Sequence, residues 1–154
     1  MNKFDQETNI IRSIFAVLAG NFIWTVLWIG SNAIITYLNP SVYEGRVDDV
    51  GVLSFTILRS FIFSIIAGYL TAWIAQWGEI KHAVALSILQ LTFGVVVSAQ
   101  TFNILPMWYH LIFNVLLIPG AVLGGWLRAL KFQRASLTIE VRQGTEQIKD
   151  SLCL

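Results

Sequence analysis

The chain is a series of long apolar runs separated by short polar islands. Charged residues occur at the N-terminus, between positions 44 and 59, at Glu79 and Lys81, and from Arg128 onward. The apolar runs between them cover about residues 10–37, 60–77 (with a helical lead-in from Asp49 as a second reading), 82–102 and 106–130. Each has about the 18–20 residues a helix needs to cross hydrocarbon. None shows the roughly ten-residue alternation of a membrane β-barrel strand, and backbone polar groups in lipid must be satisfied within the protein, so the runs are expected as helices. The pattern predicts an all-α fold, an integral membrane four-helix bundle over residues 1–134 with a short tail at 135–154.

Composition agrees with that picture. The 154 residues are 56% hydrophobic and 12% charged, and the charged share is about half that of a soluble domain. A net charge of +1, with basic residues divided among the loops, provides no basic face for nucleic acid. The single cysteine, Cys153, excludes an intrachain disulfide. The first apolar run is too long for a signal-peptide core and ends in no small-x-small cleavage site, so it is expected to stay as the first span.

Basic residues set the expected direction of the spans. With four spans the termini share one side with the second loop, and that side collects Lys3, Arg12, Lys81, Arg128, Lys131 and Arg134. The opposite side carries Arg46 and Arg59 beside Glu44, Asp48 and Asp49. The excess puts both termini in the cytoplasm of a cell whose inner membrane holds the protein.

Small residues recur at helical spacing. Ser64, Gly68 and Ala72 form one stripe, Ala121, Gly125 and Ala129 a second, and Gly120 with Gly124 a GxxxG beside it. Such stripes let helix backbones approach closely where burial of apolar area does not drive association. "AGYLTAW" (67–73) also aligns with "GGWLRAL" (124–130), and "IFAVLAG" (14–20) with "IFSIIAG" (62–68). Duplication of a helical hairpin and chance matching among few residue types both account for that.

Polar groups inside the spans are the candidate chemistry. Counting 1.5 Å per residue from the nearest polar boundary puts Asn21 about 14 Å deep, and Gln90 and Asn114 about 12 Å. An unpaired amide in hydrocarbon costs several kcal/mol, so these three are expected to face inward as a mid-membrane polar cluster, either bonding across helices or lining a small site. Arg59 has two readings: it snorkels to the outer headgroups, with Asp48 or Asp49 capping its helix, or it faces a cavity as a buried charge. His110, one turn into the last span, is with Arg59 the candidate outer-face ligand contact. His82 opens the third span on the opposite side, so the two histidines cannot share one haem. Trp24 and Trp28, four apart, contact lipid or a neighbouring helix, or line a pocket. Trp77, Trp108 and Trp126 fall near span ends, as an interfacial belt does. Pro119 is the expected bend in the last helix. In the tail, Leu137, Ile139 and Val141 alternate like a short strand, with a surface helix over 141–152 as the other reading.

No membrane-embedded carboxylate, HExxH, GxSxG or phosphate loop occurs, so no catalytic, metal or cofactor residue is assigned. The stretches "AGYLTAWIA", "HAVALSILQLTFG" and "LPMWYHLIFNVLLIPGAVLGGWLRA" carry a resemblance to a group of small four-span bacterial membrane proteins with no assigned activity. It covers about residues 62–129 and implies the architecture and a bacterial inner membrane. The leading expectation is a non-enzymatic accessory or scaffold subunit, or a homo-oligomer packed through the small-residue stripes, with membrane lipid or a larger membrane complex as partner. The alternatives are a small transporter or channel subunit with Asn21, Gln90 and Asn114 along its path, and a lipid- or quinone-binding membrane protein with its ligand at His110.

Overall fold

Four helices account for the four apolar runs. The computed structural model describes residues 3–38, 40 and 49–152. These residues form α1 (Lys3–Leu38), α2 (Val50–Ala75), α3 (Glu79–Thr101) and α4 (Met107–Leu152), with no strand among them. Each helix contains a segment long and apolar enough to cross a membrane. Glu44, Arg46 and Asp48 of the first loop, and Cys153, lie outside the described residues.

Helix ends follow from local chemistry. Asp49 caps α2: its Oδ1 accepts from the backbone N–H of Gly51 (2.7 Å) and Val52 (3.2 Å), satisfying two donors that a first turn leaves open. The helix therefore begins ten residues before the apolar run at 60–77, and Arg59 lies inside it. At the other end Gln76 turns left-handed (φ 62°), its N–H bonded to the Ala72 carbonyl at 3.2 Å. Gly78, also left-handed (φ 55°), completes a three-residue turn into α3. Between α3 and α4 the Ile104 and Leu105 N–H groups close onto the Thr101 carbonyl. Pro106 then stands just ahead of Met107, where its missing N–H removes no helical bond.

Short turns make α3 antiparallel to both α2 and α4, so α2 and α4 run parallel. They are also the most closely packed pair. A Cβ on Gly68 would come 2.0 Å from the Ala121 carbonyl oxygen. One on Gly124 would come 2.1 Å from the Ile65 oxygen and 2.7 Å from the Tyr69 nitrogen. Gly120 sits against Ser64 and Phe61, while Gly125 faces α3 at Ala83 and Glu79. The two stripes are thus filled within one chain. Ser64, Ala72 and Ala121 are fully buried, and Ala129, near the end of its stripe, is half-buried.

α1 packs on the hairpin formed by α2 and α3. Near the termini the Arg12 Nε donates to the Ile74 carbonyl at 2.8 Å, and Gly20 lies against Thr71. The core joins Trp24, Leu53, Ile57, Ala67, Leu86, Tyr109, Phe113, Leu117 and Ala121. Around it the bundle exposes Ile11, Phe22, Ile29, Leu58, Ile88, Leu111 and Val115. Helices apolar on their outer faces as well as toward the core suit a hydrocarbon surround.

The tail departs from the alternating pattern. Leu137, Ile139 and Val141 do not form a strand, because α4 continues through Pro119 and past the bundle to Leu152. A lone strand has no partner for its backbone groups, whereas a helix satisfies its own.

Replacing Gly124 with valine should force α2 and α4 apart and cost about 1–3 kcal/mol or prevent folding. Gly30, with nothing within 4 Å of an added Cβ, should accept alanine with unchanged or slightly raised stability. Thermal denaturation of the two variants in mild detergent checks the contrast; equal melting temperatures would refute this account of the packing.

Candidate ligand site

Arg59 lies nine residues past Val50, about 14 Å along α2. At that depth it does not reach back to the helix end. It is only 8% exposed and turns into the bundle, so the snorkelling arrangement gives way to the inward one. Its Nη2 donates to Asn32 Oδ1 on α1, and its guanidinium carbon stands 5.0 Å from the centre of the Trp28 ring. The Trp28 face supplies roughly 0.5–2 kcal/mol to a desolvated cation. Nε and Nη1 are buried with no hydrogen-bond partner.

Asn32 and Trp28 also line a cavity of about 210 Å³ at the end of the bundle away from both termini. All four helices contribute to its wall. Its apolar surface includes Leu53, Val97 and Phe113, and its polar groups include Thr56, Ser98 and His110. Largely apolar walls with a few fixed polar groups are the usual build of a small-molecule site.

Aromatic stacking holds the α4 side of this cavity. Phe113 packs on Trp28 (5.4 Å) and on Tyr109 (5.7 Å), and Trp28 stacks in turn on Trp24, nearly parallel at 6.0 Å. His110 stacks on Phe102 (6.0 Å). It is 7% exposed, and its Nε2 is buried without a partner. The carbonyl of His110 accepts from Asn114 Nδ2 at 2.8 Å, and the same amide donates to Ser98 Oγ at 2.8 Å. That second bond ties α3 to α4 beside the cavity. Gly94 makes room for it: a Cβ there would come 2.4 Å from Asn114 Oδ1.

The three mid-span amides occupy separate settings. Asn114 stands behind the wall just described and bonds to its lining residue Ser98. Gln90 is completely buried with both amide atoms unpartnered, so it bonds to neither of the others. Asn21 is half-buried, with its Oδ1 unpartnered. Ser60, Ser64 and Thr71 add unpartnered hydroxyls along the inner face of α2. His82 lies at the opposite end of the bundle from His110. Its Nδ1 is 3.0 Å from the Gly78 carbonyl and its ring meets Trp77 edge-on. Among the described residues no three of His, Cys, Asp and Glu gather into a metal-binding group.

Sequence reasoning paired Arg59 with His110 at the outer face and put Asn114 in a separate mid-membrane cluster; it did not name Asn32 or Ser98 as partners of either. Asn32 could have been found from the hairpin. Once Asp49 is taken as the cap of α2, Arg59 falls deep enough to need a polar group on α1.

Asn32→Leu should strip the buried guanidinium of its one hydrogen bond and cost about 1.5–3 kcal/mol. Adding Arg59→Met should restore much of that loss, since an apolar pair of similar volume replaces a charge and its partner. A double-mutant cycle on melting temperatures reads this directly. If the double variant is no more stable than Asn32→Leu alone, the pairing is not what shapes this end of the bundle.

No family model matches the chain, and no curated protein and no solved structure matches it either.

Proposed function

We propose that this integral membrane protein is a non-enzymatic binding protein that takes up an amphiphile, a lipid or a quinone-like molecule, in the cavity bordered by Trp28, Asn32, Ser98 and His110. The observation that carries the reading is the coincidence of that cavity with unpaired buried polar atoms on His110, which lines it, and on Arg59 and Asn114, which bond to its lining residues Asn32 and Ser98. Buried polar groups are almost always paired, and the exceptions call for a ligand or bound water. The volume admits a ring or headgroup, with an attached chain leaving between helices whose outer faces are apolar.

In this reading the protein belongs to a bacterial inner membrane with both termini in the cytoplasm, because the basic residues concentrate on the side of the termini. The cavity then opens toward the outer leaflet. A second reading, an accessory or scaffold subunit of a larger complex, is favoured by the exposure of Leu137, Ile139 and Val141 on the part of α4 beyond the bundle. A homo-oligomer would use the lipid-facing surface, since the small-residue stripes are filled within the chain.

Native mass spectrometry of gently extracted protein should show one added mass per chain, and Val97→Trp, which puts a bulky ring on the cavity wall, should reduce it. Apo protein only, with no uptake of added lipid or quinone, would overturn the reading. Orientation has its own check. Cys153, the single thiol, should react with a membrane-impermeant maleimide in inside-out vesicles and stay unlabelled in intact spheroplasts. The reverse result would place the termini outside.

A further inference from the structure

Arg59 is the only described cation within the membrane-spanning part of the bundle that is both buried and turned into its interior. It is 8% exposed. One hydrogen bond, to Asn32, and the face of Trp28 at 5.0 Å are its compensation. No described carboxylate pairs with it, and Nε and Nη1 keep their donors unused. Arginine does not escape such a site by losing its proton. A buried ion without an opposite charge carries a penalty of several kcal/mol that one neutral amide and one ring do not offset. The same corner holds His110 Nε2, unpartnered and buried, and the Ser98 hydroxyl, which accepts from Asn114 and keeps its own proton to donate. Asn114 Oδ1 is an unpartnered acceptor beside them, so the surplus at this corner is positive charge and, with His110 as its Nε2–H tautomer, more donors than acceptors.

We propose that the ligand of this cavity carries an anionic group, a carboxylate or phosphate ester, with Arg59, seated directly behind the lining residues Asn32 and Trp28, as its counter-charge and the lining residues His110 and Ser98 completing its hydrogen bonds. This rests on the reading that the cavity holds a ligand and adds the chemical class of its head. Guanidinium suits the role because charge-assisted bonds to planar or tetrahedral oxyanions are about twice as strong as neutral ones. The walls formed by Leu53, Val97, Leu105 and Phe113 fit the apolar remainder of the molecule. The same oxyanion could arrive on a membrane lipid or free in solution.

The test uses the full chain in mild nonionic detergent and two lipids that differ only in the phosphate, dioleoyl phosphatidic acid and dioleoylglycerol, with binding read by native mass spectrometry. Phosphatidic acid is expected to bind at least about tenfold tighter, a difference of roughly 1.4 kcal/mol. Arg59→Met should erase that preference. Lys131→Gln, at the opposite end of the bundle, should leave it intact, which separates the cavity from basic residues at the other membrane face. Inorganic phosphate forms the third arm. If phosphate alone displaces the lipid from wild type and has no effect on Arg59→Met, the source of the anion is soluble and the assignment of charge holds. Should Arg59→Met fail to fold, Arg59→Lys takes its place and should keep only part of the preference. Equal binding of the two lipids by wild type, or a preference that survives Arg59→Met, would overturn the proposal while leaving an amphiphile site in place. Binding of neither lipid nor phosphate would remove the amphiphile site itself.

Discussion

The contact between the backbones of α2 and α4 is the constraint on which the other arrangements depend. In lipid, burying apolar side chains does not separate them from water, so helices are held by close van der Waals contact and by hydrogen bonds between them. Close contact needs positions without side chains. Gly68 lies on the Ala121 carbonyl, and Gly124 on the backbone at Ile65 and Tyr69. These approaches set the axial register of two parallel helices. They thereby decide which residues of α2 meet which of α4, and they leave Gly125 to receive Ala83 of α3. α1 makes no comparable glycine seam on α4. It attaches instead by Gly20 on Thr71 and by the Arg12 bond to Ile74 near the termini, and by Asn32 and Trp28 near the other end.

A helix pinned at its middle has the depth of its remaining residues fixed by its start. Asp49 supplies that start, and Arg59 lands inside the bundle, where no described carboxylate pairs with it. The gap left around Trp28, Leu53, Phe113 and His110 follows from the same geometry. The glycine seam between α2 and α4 covers Phe61 to Tyr69 on one helix and Gly120 to Gly124 on the other. Beyond it toward the first loop the facing positions become large: Trp28, Tyr109 and Phe113. There aromatic side chains of α1 and α4 line a cavity, beyond the region where glycines let α2 and α4 touch.

How much of this was legible in the sequence differs by scale. Span number and helical class came from apolar run length alone, because lipid permits few alternatives. The small-residue stripes were visible as a period of four, but their partners were not. A stripe specifies close approach and does not say whether the approaching helix belongs to the same chain. Register was the missing quantity at the site as well. Depth counted from the nearest polar residue gave Asn21, Gln90 and Asn114 similar values, yet Asn21 and Gln90 count from the end that holds the termini and Asn114 from the other, and the three lie on different helices. Asn114 bonds to Ser98 and His110, and Gln90 to nothing. The alternation of Leu137, Ile139 and Val141 misled for a different reason: three positions are too few to separate a period of two from a helix whose exposed side carries scattered apolar residues.

Several buried polar groups in the bundle lack partners, and their magnitudes rank them. A buried neutral amide or hydroxyl left unpaired costs about 1–3 kcal/mol. Hydroxyls can reduce that cost by rotating toward their own helix, as Thr25, Thr56 and Thr101 do with the carbonyl four residues back. Gln90 has a longer side chain and two unpaired atoms, but no net charge. Arg59 differs in kind. It is a cation, it has spent one donor on Asn32, and no described carboxylate lies within its reach. Among the described residues the largest unmet electrostatic demand therefore lies beside the distal cavity, where no described carboxylate pairs with the guanidinium.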